Sequence, residues 1–400
     1  MVNEIGRGVM GGGSRRAAMW AGLPWDHDDI QSLIRAKDWS PEIQARKAES
    51  VDYPAPLDMT NVSVMLNSRF FTEYTARATK ALSTFEAALR LACRTGEPGF
   101  SVSLIGEDLR NTCGEITSDD DSDACCLGSL NIARMGSVEE FRSAVEVATA
   151  FLLAGTEYTF HPYDEVRVVQ SKNRRLGLGL MGLHEWLLTH GLPYAAAHEL
   201  KPYLQAYTDS EAFAKIWADS WNMPTPVRTR AIAPTGSISI LAETTSGIEP
   251  LYCASYMRRY RVGGRVAAQY VLDPVAERLV KGGVRPESIE DSSSLARDLE
   301  KRLRFQAWIQ EYVDQAIAVT INIPSWGSTY NNEDTLGQME ETIVRYLPAL
   351  RGLTLYPDGA RSGQPLTPVP WHVACERRGK EFQEEWANIC SITGRGTCGE

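Results

Sequence analysis

Helical segments and short strand-like runs alternate along this chain, and that rhythm limits its fold more than any other feature. Apolar residues recur at helical spacing over 28–37, 71–95, 138–153, 179–190, 274–281, 293–315 and 333–347. Runs suited to strands lie between them, among others at 62–65, 318–323 and 352–356. Strands that alternate with helices build an α/β domain, because the connecting helices cover the faces of the sheet. Pattern alone leaves open whether that sheet is open or closed. With 400 residues, 43% of them hydrophobic, the chain can bury a large core.

Charge and cysteine usage narrow the functional classes. A formal charge of −10 argues against broad, sequence-independent nucleic-acid binding, which needs a basic surface, so an anionic ligand has to be held locally. The eight cysteines are too sparse for a disulfide scaffold, and no CxxC pair supports a zinc ribbon. No apolar run reaches membrane-spanning length and the N-terminus lacks a signal-peptide core, so the expected compartment is the cytoplasm.

Chemistry concentrates at residues 111–115, Asn-Thr-Cys-Gly-Glu. In extended backbone Asn111, Cys113 and Glu115 fall on one face, setting an amide, a thiol and a carboxylate side by side. A thiol so placed can do radical or nucleophilic chemistry. Gly177, Gly179 and Gly182 fit GxGxxG, but no strand pattern precedes them, and the bulky Leu and Met between them suit helix packing better than a pyrophosphate turn. The acidic run at 119–123 reads as a solvated loop rather than a calcium loop, and His27 with its two aspartates as a helix start. Thr235, Gly236, Ser237, Ile238 and Ser239 form the better anion site, with small and hydroxyl residues that let successive N–H groups face a phosphate. The same residues also suit an ordinary capped turn, and the motif does not choose between the two.

Several motifs in order resemble the catalytic subunit of ribonucleotide reductases. NTCGEI at 111–116 is similar to the family's radical-cysteine finger loop, ACCLGSLNI at 124–132 to its second redox-cysteine segment, and APTGSISILAETTSGIEP at 233–250 to its phosphate loop. TNVSV at 60–64, KNRRLGLGLMGL at 172–183, VTINIP at 319–324 and GLTLYPDGAR at 352–361 add to the likeness, which runs over residues 8–370. The wording CGEI and PTGSIS looks nearest to the adenosylcobalamin-dependent class II enzymes. A class I enzyme would carry paired tyrosines where this chain has Tyr356 followed by Pro357.

The resemblance implies a ten-stranded α/β barrel around the finger loop, of which residues 1–373 would supply the later strands, with a flexible cysteine-bearing tail at 374–400. It implies reduction of ribonucleotides to 2'-deoxyribonucleotides. Cys113 would be the thiyl radical that removes the 3'-hydrogen, Glu115 the base for the 3'-hydroxyl proton, and Asn111 a hydrogen-bonding partner of the substrate hydroxyls. Cys125 would be one member of the reducing dithiol, with Cys126 a bystander. Residues 235–239 would hold the substrate phosphates. Gly13, Ser14, Arg15 and Arg16 would belong to the loop through which a nucleotide effector acts. Cys390 and Cys398 would pass electrons from thioredoxin or glutaredoxin.

The family carries a long N-terminal part before these motifs, including the other dithiol cysteine. The likeness therefore implies a split or truncated subunit that associates with a separate N-terminal half, and a homodimer is a plausible assembly for the family. The competing reading is a non-catalytic nucleotide-binding remnant. Such a scaffold has no need of Asn111, Cys113, Glu115 and Cys125 together.

Overall fold

The computed structural model describes residues 2–11, 15–49, 53–262, 265–360, 366–379 and 381–383. The strands that position the site are β1 (Met19–Pro24), β2 (Thr60–Asn67), β3 (Gly99–Ser103), β4 (Cys126–Asn131), β5 (Leu176–Met181), β6 (Thr320–Ile323) and β7 (Gly352–Pro357). The helices used below are α1 (Thr79–Thr95), α2 (Val138–Tyr158), α3 (Leu183–Thr189), α4 (Gly236–Leu241), α5 (Leu299–Gln310) and α6 (Leu336–Tyr346).

β1, β2 and β3 run parallel, β3 pairs antiparallel with β7, and β7 runs parallel to β6. β4 and β5 are a second parallel pair. Two extended segments, 228–232 and 315–318, connect these groups through parallel bridges, Leu178 with Arg230 and Ile232 with Ile317. Backbone bonds complete the seam, Leu178 N–H donating to Thr229 O at 2.9 Å and Ala318 N–H to Ile232 O at 2.9 Å. The order across the sheet is therefore β4, β5, 228–232, 315–323, β7, β3, β2, β1. The segments as far as β7 are parallel and the last three run against them. This is the α/β architecture expected, and among the described residues β1 and β4 end the sheet.

Apolar helix faces cover it. Phe85, Leu89 and Ala92 of α1, Leu303 of α5 and Ile343 of α6 pack with Val64, Phe100, Ile321 and Leu355 of the strands. Phe141, Val145 and Leu153 of α2 pack with Leu176, Leu178 and Leu180 of β5 and with Leu187 of α3. Fully burying such side chains contributes about 1.5–3 kcal/mol each, so these two apolar clusters dominate the fold's stability.

Three sequence expectations need correction. The helix expected over 179–190 starts only at Leu183, because 176–181 is a strand buried on both faces. Its glycines serve close approach, since a Cβ on Gly179 would sit 2.7 Å from the Ala231 carbonyl oxygen. The helix expected over 71–95 is two, Ser68–Thr75 and α1, parted at Arg77 with φ +59°. The one over 293–315 divides where Asp298 accepts the Lys301 N–H at 3.0 Å and starts α5 afresh.

A four-stranded antiparallel sheet lies apart from the main one, its central hairpin Ser255–Val262 and Arg265–Leu272 flanked by Leu366–Pro368 and Glu381–Gln383. The proposed tail boundary after 373 falls inside the helix Trp371–Arg377, so ordered structure passes beyond it. No described helix is long and apolar enough to cross a membrane.

Candidate active site

Residues 111–116 form a turn rather than extended backbone, so the three side chains do not share one face by alternation. Gly114 has φ +84°, a conformation natural to glycine, and the chain reverses there. Asn111 organises the turn. Its Oδ1 accepts the N–H of Gly114 at 3.0 Å and of Ile116 at 3.1 Å. Cys113 at the tip is exposed, whereas Glu115 is 1% exposed and its Oε2 has no hydrogen-bond partner among the described residues. Burial pushes the Glu115 carboxyl up, against smaller opposing pulls from its own backbone N–H and from Asn111. The loop is tied down on both flanks. The Glu115 carbonyl accepts the Ala316 N–H at 2.9 Å, and Asn61 Nδ2 donates to Thr112 O at 2.9 Å.

Cys125 lies on the same side as Glu115. A Cβ on Gly177 would meet Cys125 Sγ at 3.1 Å and Ile116 Cδ1 at 3.2 Å, so the missing methyl of that glycine makes room for the sulfur. Burial holds this thiol well above its ordinary value, with smaller raising contributions from Cys126, Asp123 and Glu115 and a lowering one from Arg175. Cys126 points the other way, its Sγ 3.4 Å from the position a Cβ on Gly155 of α2 would take. Strand alternation thus parts the adjacent cysteines, one toward the finger loop and one toward the covering helix. Behind Cys125, Arg175 Nε pairs with Asp123 Oδ2 at 2.7 Å, both side chains almost fully buried. Asp120 is held by Lys172 at 2.9 Å and by Asn173 at 2.7 Å. The acidic run read as solvated therefore contributes two carboxylates to the frame of the site.

On the other side of the loop, Cys113 lines a cavity of about 370 Å³ with Trp20, Ser63, Phe100, Glu249 and Tyr356. Glu115, Asn111 and Cys125 are not in its wall. Pro234 is, and it leads directly into the anion motif. Thr235, at φ +53°, starts α4, and its Oγ1 accepts the Gly247 N–H at 2.8 Å. Ser239 N–H returns to Thr235 O at 2.9 Å, while the N–H groups of Gly236, Ser237 and Ile238 take no protein acceptor among the described residues. All three of these residues are exposed. At the far end Arg278 donates to Glu243 O at 2.6 Å, matching the negative end of the helix dipole. The hydroxyl-rich motif therefore starts a helix without a side-chain cap, and three of its N–H groups take no protein acceptor among the described residues.

Of the remaining expected site residues, Gly13, Ser14, Cys390 and Cys398 lie outside the described residues. Arg15 and Arg16 pair as a short strand with Met10–Gly11. His27 Nδ1 accepts the Asp29 N–H at 3.0 Å ahead of the helix Ile30–Arg35, as a helix start should. Glu249 and Trp20 were not singled out from the sequence. Glu249 stands inside the quoted 233–250 segment, where an acid among phosphate-binding residues was the available signal.

This geometry, with a finger-loop thiol at the middle of an α/β sheet and a helix N-terminus beside it, is accompanied by a match to the family model of the ribonucleotide reductase barrel domain over residues 108–213 and 228–346. The chain belongs to that family. It is 28% identical to the vitamin B12-dependent ribonucleoside-diphosphate reductase of Mycobacterium tuberculosis, over 89% of this chain and 58% of that protein. The enzyme of the same description from Thermoplasma acidophilum is 25% identical, over 89% and 53%. A crystal structure of a B12-dependent class II ribonucleotide reductase superposes with a TM-score of 0.69 at 16% identity, covering 94% of this chain and 55% of that one, which shows the shared fold. The chain thus spans somewhat more than half the length of the curated relatives it matches.

Proposed function

We propose that this chain carries the thiyl-radical site of a ribonucleotide reductase that converts ribonucleotides to 2'-deoxyribonucleotides. The observation that supports it most is the placement of Cys113 at the tip of a loop, open to a cavity, with Glu115 buried and Cys125 half-buried behind it. The Cys113 thiyl removes the 3'-hydrogen of the ribose. Glu115, whose pKa burial raises, takes the 3'-hydroxyl proton as the base, and the 2'-hydroxyl leaves as water with a proton from a redox thiol. Asn111 has its Oδ1 committed to the turn, so it meets substrate hydroxyls through Nδ2. Cys125, kept as a neutral thiol by burial, contributes one of the two reducing hydrogens. The free N–H groups of α4 hold the phosphates without requiring a basic surface.

The residues at the cavity fit adenosylcobalamin, the cofactor named in the relatives' descriptions. A cavity of about 370 Å³ lined by Trp20, Phe100 and Tyr356 suits the nucleoside arm of that cofactor, and these aromatics would hold it. When bound, the cofactor supplies the one-electron oxidising equivalent for Cys113. The chain's part is to hold the thiol at the cavity and to keep water from the radical.

The outer edges of β1 and β4, unpaired among the described residues, support a companion polypeptide that adds strands and brings the second redox cysteine. A thioredoxin-type reductant would recharge the dithiol, with Cys390 and Cys398 as the shuttle. The test is product formation from a ribonucleotide with adenosylcobalamin and a dithiol, for the chain alone and with the N-terminal part of a class II relative. Deoxyribonucleotide formed only in the mixture supports both the activity and the companion. Product from the lone chain removes the companion, and no Cys113-dependent product in any combination discards the activity.

A further inference from the structure

The cavity beside Cys113 contains two further carboxyl side chains, Glu97 and Glu249, and they are wired differently. Both oxygens of Glu97 are in use, Oε1 in an ion pair with Lys37 at 2.6 Å and Oε2 accepting the Val62 N–H at 3.2 Å. Glu97 is framework. Glu249 has one oxygen fixed, Oε1 accepting the Thr320 N–H at 2.9 Å, while Oε2 takes no hydrogen bond among the described residues. The residue is only partly buried, and it lines the same cavity as Cys113.

Of the nearby polar groups, the Tyr194 hydroxyl is committed to Ile248 O at 2.6 Å and Arg302 Nη2 to Thr320 O at 3.0 Å, while the buried Arg302 Nη1 takes no acceptor, Glu249 Oε2 included, among the described residues. Burial pushes the Glu249 carboxyl up, with the Thr320 N–H and Arg302 opposing. A half-buried carboxyl with one tethered and one free oxygen is costly to desolvate unless a ligand group completes it. The tether also fixes the direction of the free oxygen, which is what recognition of a single hydroxyl requires.

We propose that Glu249 is a ligand-contacting residue of this site, its Oε2 hydrogen-bonding a ribose hydroxyl of the nucleoside that enters the cavity beside Cys113. This rests on the reading of the site as a ribonucleotide reductase. It adds a second sugar-binding carboxyl on the wall away from Glu115. Two nucleosides carry the required vicinal diol, that of the substrate and that of the cofactor's adenosyl arm.

Calorimetric titration separates them. Adenosine and cytidine diphosphate are each compared with their 2',3'-dideoxy counterparts, using the protein with its companion where one is needed, as wild type, Glu249→Gln and Glu249→Ala. The expected result is a roughly 10- to 100-fold loss of affinity for one ribo-probe in Glu249→Ala, a smaller loss in Glu249→Gln, and no change for the matching dideoxy probe. Loss confined to adenosine identifies the cofactor arm, and loss confined to cytidine diphosphate the substrate sugar. Glu249→Gln keeps an acceptor for Thr320 N–H, so it stays informative if the alanine variant does not fold. Equal ribo-to-dideoxy ratios in all three proteins, equal weakening of both probes, or no binding of either ribo-probe by wild type overturns the proposal. Loss of Cys113-dependent turnover is a separate result that bears on the reductase reading alone.

Discussion

The two sides of the finger loop differ in access. On one side Cys113 is exposed to a cavity that reactants can enter. On the other, Glu115 and the Arg175–Asp123 pair are buried, with the half-buried Cys125 beside Gly177 of β5. One turn at Gly114 makes the division, while Cys125 and Cys126, alike half-buried, differ only in direction, toward Gly177 and toward Gly155. A radical thiol has to meet its reactants, whereas a proton-transferring carboxyl benefits from a dry setting that moves its pKa toward neutrality. On the proposed reading, one short segment meets both needs by reversing direction between the two residues.

The largest test of this contrast removes the open-side thiol. Cys113→Ser should lower turnover about 10³-fold or more while leaving the unfolding midpoint within a degree or two, measured by deoxyribonucleotide formation and thermal melting. Cys126→Ser, on the helix side, should leave turnover within about twofold. Comparable losses for the two would erase the distinction between them.

Next in size is the buried side. Arg175→Ala removes the cation from the buried Asp123 carboxylate, which keeps donors from Ser118, Asn173 and Ala124, and should cost about 3 kcal/mol in urea unfolding. A loss below about 1 kcal/mol would mean that water reaches this side. A Cβ on Gly177 would overlap Leu127 Cδ2 and approach Cys125 Sγ to 3.1 Å. Gly177→Ala should therefore cost about 1–3 kcal/mol and slow thiol–disulfide exchange at Cys125, read by labelling kinetics.

The smallest effect is on pH dependence. The Glu115 carboxyl is raised above 4.5, so the stability of its neutral form is fully present below that value and lost as pH rises through the higher folded value. Glu115→Gln should flatten this part of the stability curve. An unchanged slope would place the charge in water rather than in the sealed interior.

The α/β class and the helix 274–281 were legible in the sequence because their patterns are local and capped, the helix by Asp273 accepting the Val275 N–H at 2.8 Å. The strand at 176–181 was not, since Leu-Gly-Leu-Gly-Leu buried on both faces carries no alternation and its glycines mimic a phosphate loop. The identity of the site residues was legible as wording, Asn-Thr-Cys-Gly-Glu, but their directions were not. An extended reading put the three on one face, and a positive φ at one glycine sent them to two. The unused oxygen of Glu249 likewise depends on Thr320, seventy-one positions away, and no local pattern encodes it.

The stretch from Ala316 to Thr320 has a mechanical consequence. Its first N–H holds the backbone of Glu115 and its last holds the side chain of Glu249, so both acids are fastened to one extended segment at points four residues apart. That spacing is roughly 13 Å along the strand. The Glu115 backbone and the Glu249 carboxyl are therefore spaced like marks on a ruler. A slip of this segment by a single residue would displace both acids together.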